Sequence, residues 1–408
     1  MRKNNKRYIL KANRILKILM LVLTLWTVCQ YAFLTNVYAA EVSVQEKIID
    51  EQAEIDDIKK IEKQLKNLSS NEIREIMPEF DPQAIIKEAA KGKMSLNLPS
   101  ILNGILKYLF KEIFMNINIL IKLVVIVVFC AVLKNLQTSF LSESVGELAF
   151  FACYIAMVSI LLISYNTAIT FGKEIIDAMV SFMHATVPVL ITLMVSSGNI
   201  SSGGILQPVM IMIVETSATI IKNIFIPLIF LSAILSIIDN VSDKVQISKL
   251  SGFIKQLTGW SLGIILTIFI AVVSLQGAMG AVVDGVTGKT AKFAINTFIP
   301  VVGKYLSDAA DAVIGCTLLI KNAAGLAVMI GIVIICLVPI LKILTLVILY
   351  RLTCVLIEPI SEKRIINCIN EMANSLTYVL GIVAAVAFMF LISITAMISA
   401  SNISAMIR

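Results

Sequence analysis

Residues 276–325 read QGAMGAVVDGVTGKTAKFAINTFIPVVGKYLSDAADAVIGCTLLIKNAAG. They lie between apolar runs long enough to cross a bilayer, yet they carry four Lys, three Asp, a Pro and many Gly and Ala residues. A polar side chain at membrane depth is costly, so it faces a bundle interior or water. The polar residues here are periodic. Lys289, Lys292, Asn296, Gly303, Ser307, Asp311 and Gly315 recur at spacings of three, four or seven, which places them on one helix face. Lys304 and Asp308 stand four apart on an adjoining edge, the spacing of a supporting ion pair. Pro300 interrupts the pattern, and two readings stand. In one, a Pro-broken helix is re-entrant or lines a cavity, with Lys289, Lys292, Asn296, Lys304, Asp308 and Asp311 lining or gating a path. In the other, the segment is a helical hairpin at the surface, outside the bilayer.

Outward from this stretch the chain is strongly apolar. Of its 408 residues 58% are hydrophobic and 15% charged, with a mean hydropathy of +0.92, which excludes an ordinary soluble domain. Apolar runs cover 113–133, 147–169, 175–196, 205–238, 258–283, 323–349 and 377–400. The 205–238 run is too long for one crossing, and Pro208, Pro227 and the central Lys222-Asn223 suit a hairpin of two short helices. The fold class expected is therefore all-α, a polytopic helical membrane protein with seven to eight transmembrane helices and one re-entrant or amphipathic segment. The net charge of +7 equals that of residues 1–40 alone, which hold seven basic residues and no acidic one. A nucleic-acid reading of the basic balance fails on that distribution, and the lipid bilayer is the partner that composition implies.

Residues 1–39 have the parts of a secretory signal peptide: a basic start, an apolar run from Ile18 to Cys29, and small residues before the expected cleavage after Ala39. Residues 40–100 then form an exported, charged helical region. Ile48, Ile55, Ile58, Leu65 and Leu68 recur at helical spacing, Ser69 to Glu72 matches a capping box, and Asp81-Pro82 opens a further helix. These helices are too few for a core of their own and need a surface to pack on: each other, the membrane or a partner. Residues 101–408 are the polytopic domain, with 284–322 its polar, Gly/Ala-rich segment.

Chemistry-bearing motifs are scarce. Gly285-Val-Thr-Gly288-Lys289-Thr290 falls short of a phosphate-binding loop, because Val283 stands where the first Gly is needed and an apolar helical run precedes it. No metal-ligand cluster or nucleophile motif occurs, so no catalytic, cofactor or metal residue is expected and the chain reads as a non-enzyme. The Cys residues read as small buried hydrophobes and His184 as a packed core imidazole. Gly277, Ala281 and Gly285 recur every four residues and form a small-residue seam for helix packing. Glu215 and Lys222, seven apart in one run, are candidate intramembrane polar residues; Lys122 and Lys342 read as snorkelling side chains. His184 to Leu190 resembles Asn296 to Val302, and Ile220 to Asn223 resembles Leu319 to Asn322, an internal duplication of the kind that transporters carry.

The block Asp284-Gly-Val-Thr-Gly-Lys-Thr-Ala-Lys-Phe-Ala294, with Phe298-Ile-Pro-Val-Val-Gly303, Leu306-Ser-Asp-Ala309, Gly315-Cys316 and Leu319-Ile-Lys-Asn322, resembles the stage III sporulation protein AE family. That resemblance implies a multi-pass protein of the mother-cell membrane around the forespore. It implies a place in a channel or secretion-like complex with the other stage III sporulation A-operon proteins, among them the AA ATPase and the AG ring protein, and with a forespore membrane partner. The expected role is a permease-like subunit forming or scaffolding the membrane path. The alternatives are a stand-alone secondary transporter with its site between internal repeats and a non-conducting membrane scaffold.

Overall fold

A computed structural model describes residues 56–68, 71–78, 80–92, 97–140, 143–241, 247–299 and 302–407. The signal peptide, Ile48, Ile55, Ser69 and Pro300 lie outside the described residues. Among the described residues three short helices come first: α1 (Asp56–Asn67), α2 (Asn71–Ile76) and α3 (Pro82–Ala90). Helix α1 opens on Asp56 and Asp57 and closes on Lys66, charges that complement the helix dipole. At α3 the Asp81 carboxylate accepts the Gln83 N–H (3.0 Å) and Pro82 fills the first turn, where its missing N–H costs nothing. The long helices follow: α4 (Leu98–Phe140), α5 (Glu143–Ser196), α6 (Ile200–Ile220), α7 (Ile226–Val241), α8 (Ser248–Phe298), α9 (Val302–Ile357) and α10 (Lys363–Ile407). A π-helical turn, Ile221–Phe225, joins α6 to α7 without a break.

Among the described residues six helices are long and apolar enough to cross a membrane, fewer than the seven or eight expected, and the difference has two causes. The 147–169 and 175–196 runs are one helix, continuous through Gly172-Lys173-Glu174. A Cβ at Gly172 would lie 3.3 Å from Val379, so this glycine marks close helix packing where a loop was expected. The 205–238 run is not a hairpin either. Proline in a helix removes one N–H bond and crowds the carbonyl four residues earlier. Ahead of Pro227 the helix widens instead of ending: the Ile226 N–H reaches back five residues to the Ile221 carbonyl. The first pair of the proposed duplication differs in local structure. His184 to Leu190 lies inside α5, whereas Asn296 to Val302 spans the turn between α8 and α9.

At about 1.5 Å per residue, the 56 residues of α9 run roughly 80 Å, well past the roughly 30 Å of bilayer hydrocarbon. Much of the helix surface is accordingly covered by protein. Helices α9 and α10 form the centre, and the short helices dock on the bundle. Ile58, Ile61, Leu65, Ile86 and Ala90 belong to the main core, with Leu65 and Phe182 closing over Gly331. Ile73 and Ile76 join Tyr108, Ile334, Val338 and Leu341 in a second core. Two ion pairs accompany this docking, Glu75–Lys111 (2.6 Å) and Glu72–Lys342 (2.8 Å). Lys342, read as snorkelling, is thus held by a carboxylate and lies 5.7 Å from the centre of the Phe171 ring. By contrast, α4 and α8 turn large apolar residues outward, including Phe110, Phe114, Trp260, Ile264 and Ile268. Helix α2 approaches α4 so closely that a Cβ at Gly104 would collide with the Ile76 carbonyl. Gly104→Val is expected to destabilise the protein by about 2 kcal/mol, as overpacking does. The readout is a lowered melting temperature in detergent together with faster proteolysis within 56–90.

Candidate functional site

Two polar features stand out from the bundle. The first is the hairpin of α8 and α9. At its base Asp284, 3% exposed, accepts the backbone N–H groups of Ser201 (2.8 Å) and Ser202 (2.7 Å). Asn199, at the N-cap of α6, makes no capping bond of its own, so a carboxylate from another helix satisfies the first turn. Gly280 makes room for this contact, since a Cβ there would lie 3.0 Å from the Ser202 Cα. Gly277 and Gly285 face α10, and Ala281 is fully buried beside them. A Cβ on Gly277 would lie 3.6 Å from the Ala396 carbonyl, and one on Gly285 would meet Ile407 at 2.6 Å. Residues 285–290 continue α8 as helix, which leaves no loop to cradle a phosphate.

Beyond Gly285 the hairpin stands clear of the bundle. Lys289, Asn296, Lys304 and Asp308 are exposed, and Lys292 pairs with Asp311 across the two helices (2.7 Å). Lys304 and Asp308 make no ion pair within 4.0 Å, so the expected support on that edge comes from the Lys292–Asp311 pair instead. The chain reverses between Ile299 and Val302. The Gly303 N–H donates to the Ile299 carbonyl (2.9 Å), and a Cβ on Gly303 would lie 2.6 Å from the Ile295 carbonyl.

The second feature is a polar flank where α5 runs antiparallel to α6 and the π turn. Lys222, in that turn, pairs with Asp177 (2.5 Å), and Glu215 stands 4.0 Å from His184. The spacing is seven residues on each helix, so the two pairs are successive layers of one seam. His184 is 45% exposed at its side chain and is not the packed core residue expected. From 166 to 184 every exposed position of α5 except Ala178 is polar: Asn166, Thr167, Thr170, Glu174, Asp177, Ser181 and His184. Glu215, Thr216, Thr219 and Asn223 continue this surface on the neighbouring helix. The height of the flank follows from contacts. Lys342 and Glu72 join Phe171 of α5 to the docked helices, and Glu75 joins these to Lys111 of α4. Beside Lys111, α4 exposes Leu106, Phe110 and Phe114, with Lys107 and Lys111 exposed among them; beside Phe171, α5 exposes Thr167, Thr170 and Glu174. At one height the bundle therefore exposes large apolar side chains on α4 and only polar ones on α5.

Asp177 and Asp284 were not singled out by sequence reading, because their partners lie 45 and 83 residues away. Lys321 was missed as well. It is 1% exposed, donating from Nζ to the Ile398 carbonyl (3.0 Å) and to Ser401 Oγ. Among the described residues no three His, Cys, Asp or Glu side chains gather as a metal site. The six described cysteines are free thiols, four of them buried.

The block running from this buried cap through the hairpin to Lys321 lies within residues 80–401, which match the family model described as Stage III sporulation protein AE. The chain belongs to the stage III sporulation protein AE family. It is 34% identical over 333 residues to the Stage III sporulation protein AE of Bacillus subtilis (strain 168), an alignment covering 82% of this chain and 83% of that protein. No solved structure matches it. As a member of this family with six bilayer-length apolar helices, it is a membrane protein of sporulation.

Proposed function

We propose that this protein is a membrane subunit of the sporulation channel complex between mother cell and forespore, and that it walls part of the membrane path with the α5–α6 flank. The observation that carries the reading is the contrast at one height between Phe110 and Phe114 on α4 and Thr170, Glu174 and Asp177 on α5. Lipid suits the first surface and would penalise the second, so the flank faces water or a polar partner. Glu215, Lys222, Asp177 and His184 are the wall residues, and the exposed Lys289, Lys304 and Asp308 stand at its exported mouth. Partners under this reading are the other stage III sporulation A-operon proteins, including the AA ATPase and the AG ring protein, together with a forespore membrane protein.

Orientation follows from charge. Lys249, Lys255, Arg351, Lys363 and Arg364 gather at the end where α7 meets α8 and α9 meets α10. The positive-inside rule makes that end cytoplasmic, which puts the hairpin on the exported side of the mother-cell membrane. Narrowing the path tests the reading. With Ser181→Trp and Thr219→Trp combined, the protein inserts at its usual level while spore yield falls to that of a strain lacking it. Normal sporulation with that variant would refute a path along this flank and favour a non-conducting scaffold.

A further inference from the structure

The hairpin ends in an apolar tip that the path reading does not use. Phe293, Phe298, Val302, Tyr305 and Leu306 are 71%, 83%, 60%, 74% and 53% exposed. This patch is not a continuation of the bundle's lipid-facing surface. A polar neck separates them, formed by Thr287, Lys289 and Lys292 on α8 and Asp308 and Asp311 on α9. The last anchors of the hairpin on α8 are Asp284 at the first turn of α6 and Gly285 against Ile407, the final residue of α10. From there to Phe298 is 13 residues of helix, about 20 Å at the usual rise. Where a Cβ on Gly315 of the returning helix would sit, there is nothing within 4 Å. The tip is thus carried well beyond the ends of the neighbouring helices.

Its charge identifies what it fits. Residues 285–307 contain Lys289, Lys292 and Lys304 and no acidic residue, and with Lys292 paired to Asp311, Lys289 and Lys304 are the cations left beside the tip. Aromatic side chains at an apex with lysines behind them match the interface of an anionic bilayer, where rings enter the headgroup boundary and ammonium groups meet lipid phosphates. Cation-bearing sides alone would serve a soluble acidic partner, but they leave five exposed apolar side chains unexplained. We propose that the α8–α9 tip inserts into the surface of an anionic bilayer facing the one that the bundle spans. The inference goes beyond the path reading and does not depend on it.

The test uses the full chain in nanodiscs of neutral lipid, mixed with separate vesicles of phosphatidylcholine alone or phosphatidylcholine with phosphatidylglycerol. Co-flotation with the anionic vesicles and not with the neutral ones is expected. Phe293→Ser, Phe298→Ser and Tyr305→Ser together abolish it. Lys289→Gln with Lys304→Gln weakens it about tenfold or more, since basic residues near an anionic surface each add appreciably to binding. The lysine variant removes no apolar contact, and both variants elute and melt as the parent does. Absence of vesicle capture overturns the proposal, as does capture that neither variant changes. Association of nanodiscs with one another, lost in the serine variant without any vesicle capture, would assign the tip to a second copy of this chain and equally overturn it.

Discussion

Replacing Asp284 by Ala is expected to unfold the junction of α6 with α8. The carboxylate is 3% exposed and accepts two backbone N–H groups, from Ser201 and Ser202, at 2.8 and 2.7 Å. Alanine leaves both donors at a buried helix start with no side chain to accept them. Hydrogen bonds to a charged group contribute about 1.5–3 kcal/mol each, so a loss of about 3 kcal/mol or more is expected. Asn keeps an acceptor but not the charge that opposes the helix dipole, and falls between parent and Ala. Melting in detergent measures the order parent, Asn, Ala. Equal stability of Ala and parent would remove the cap from the account. The same geometry explains why the central block is rich in small residues: Gly280 lets α8 approach the first turn of α6, and Gly277, Ala281 and Gly285 let α10 lie against its other side.

Lys321→Glu is expected to be more damaging still. Lys321 Nζ is a donor between two oxygens, the Ile398 carbonyl and Ser401 Oγ, and the side chain is 1% exposed. A carboxylate there would be a buried charge facing an acceptor, with an uncompensated cost of several kcal/mol. No folded protein is expected to accumulate in the membrane. Lys321→Met keeps the stem and removes the charge. Ser401 Oγ still has the Met397 carbonyl as acceptor at 3.3 Å, so no donor is orphaned. The Met variant should therefore remain within about 1 kcal/mol of the parent. If Met is as damaging as Glu, the ammonium has a role beyond filling space and satisfying oxygens.

The helical membrane class is legible in the apolar runs, because a bilayer demands about 20 apolar residues per crossing whatever the packing. A helix end close to Pro300 is legible too: α8 closes at Phe298 and α9 opens at Val302. Span boundaries are harder to read where a helix has a wet side. Gly172-Lys173-Glu174 looks like a loop when apolarity alone marks a span, yet it sits in the middle of α5 because its charged residues lie beside the polar flank. Likewise Pro227 looks like a hairpin signal, and the π turn before it absorbs the missing bond without a reversal. Lys222 and Glu215 are visible in sequence as charges inside an apolar run, but their partners Asp177 and His184 belong to another helix. Pairing across helices depends on register, and a single sequence does not carry register. The role of Asp284 was hidden for the same reason, although the residue itself stands at the start of the most recognisable block.

The central claim is that the α5–α6 flank meets water at a height where α4 meets lipid. Single cysteines at Thr170, Ser181 and Thr219, and reference cysteines at Phe110 and Ile268, in a chain otherwise lacking Cys, test it directly. A membrane-impermeant maleimide applied to intact sporulating cells and to inverted vesicles should label the three flank positions from at least one side and neither reference position. Flank cysteines no more reactive than those at Phe110 and Ile268 would contradict the account.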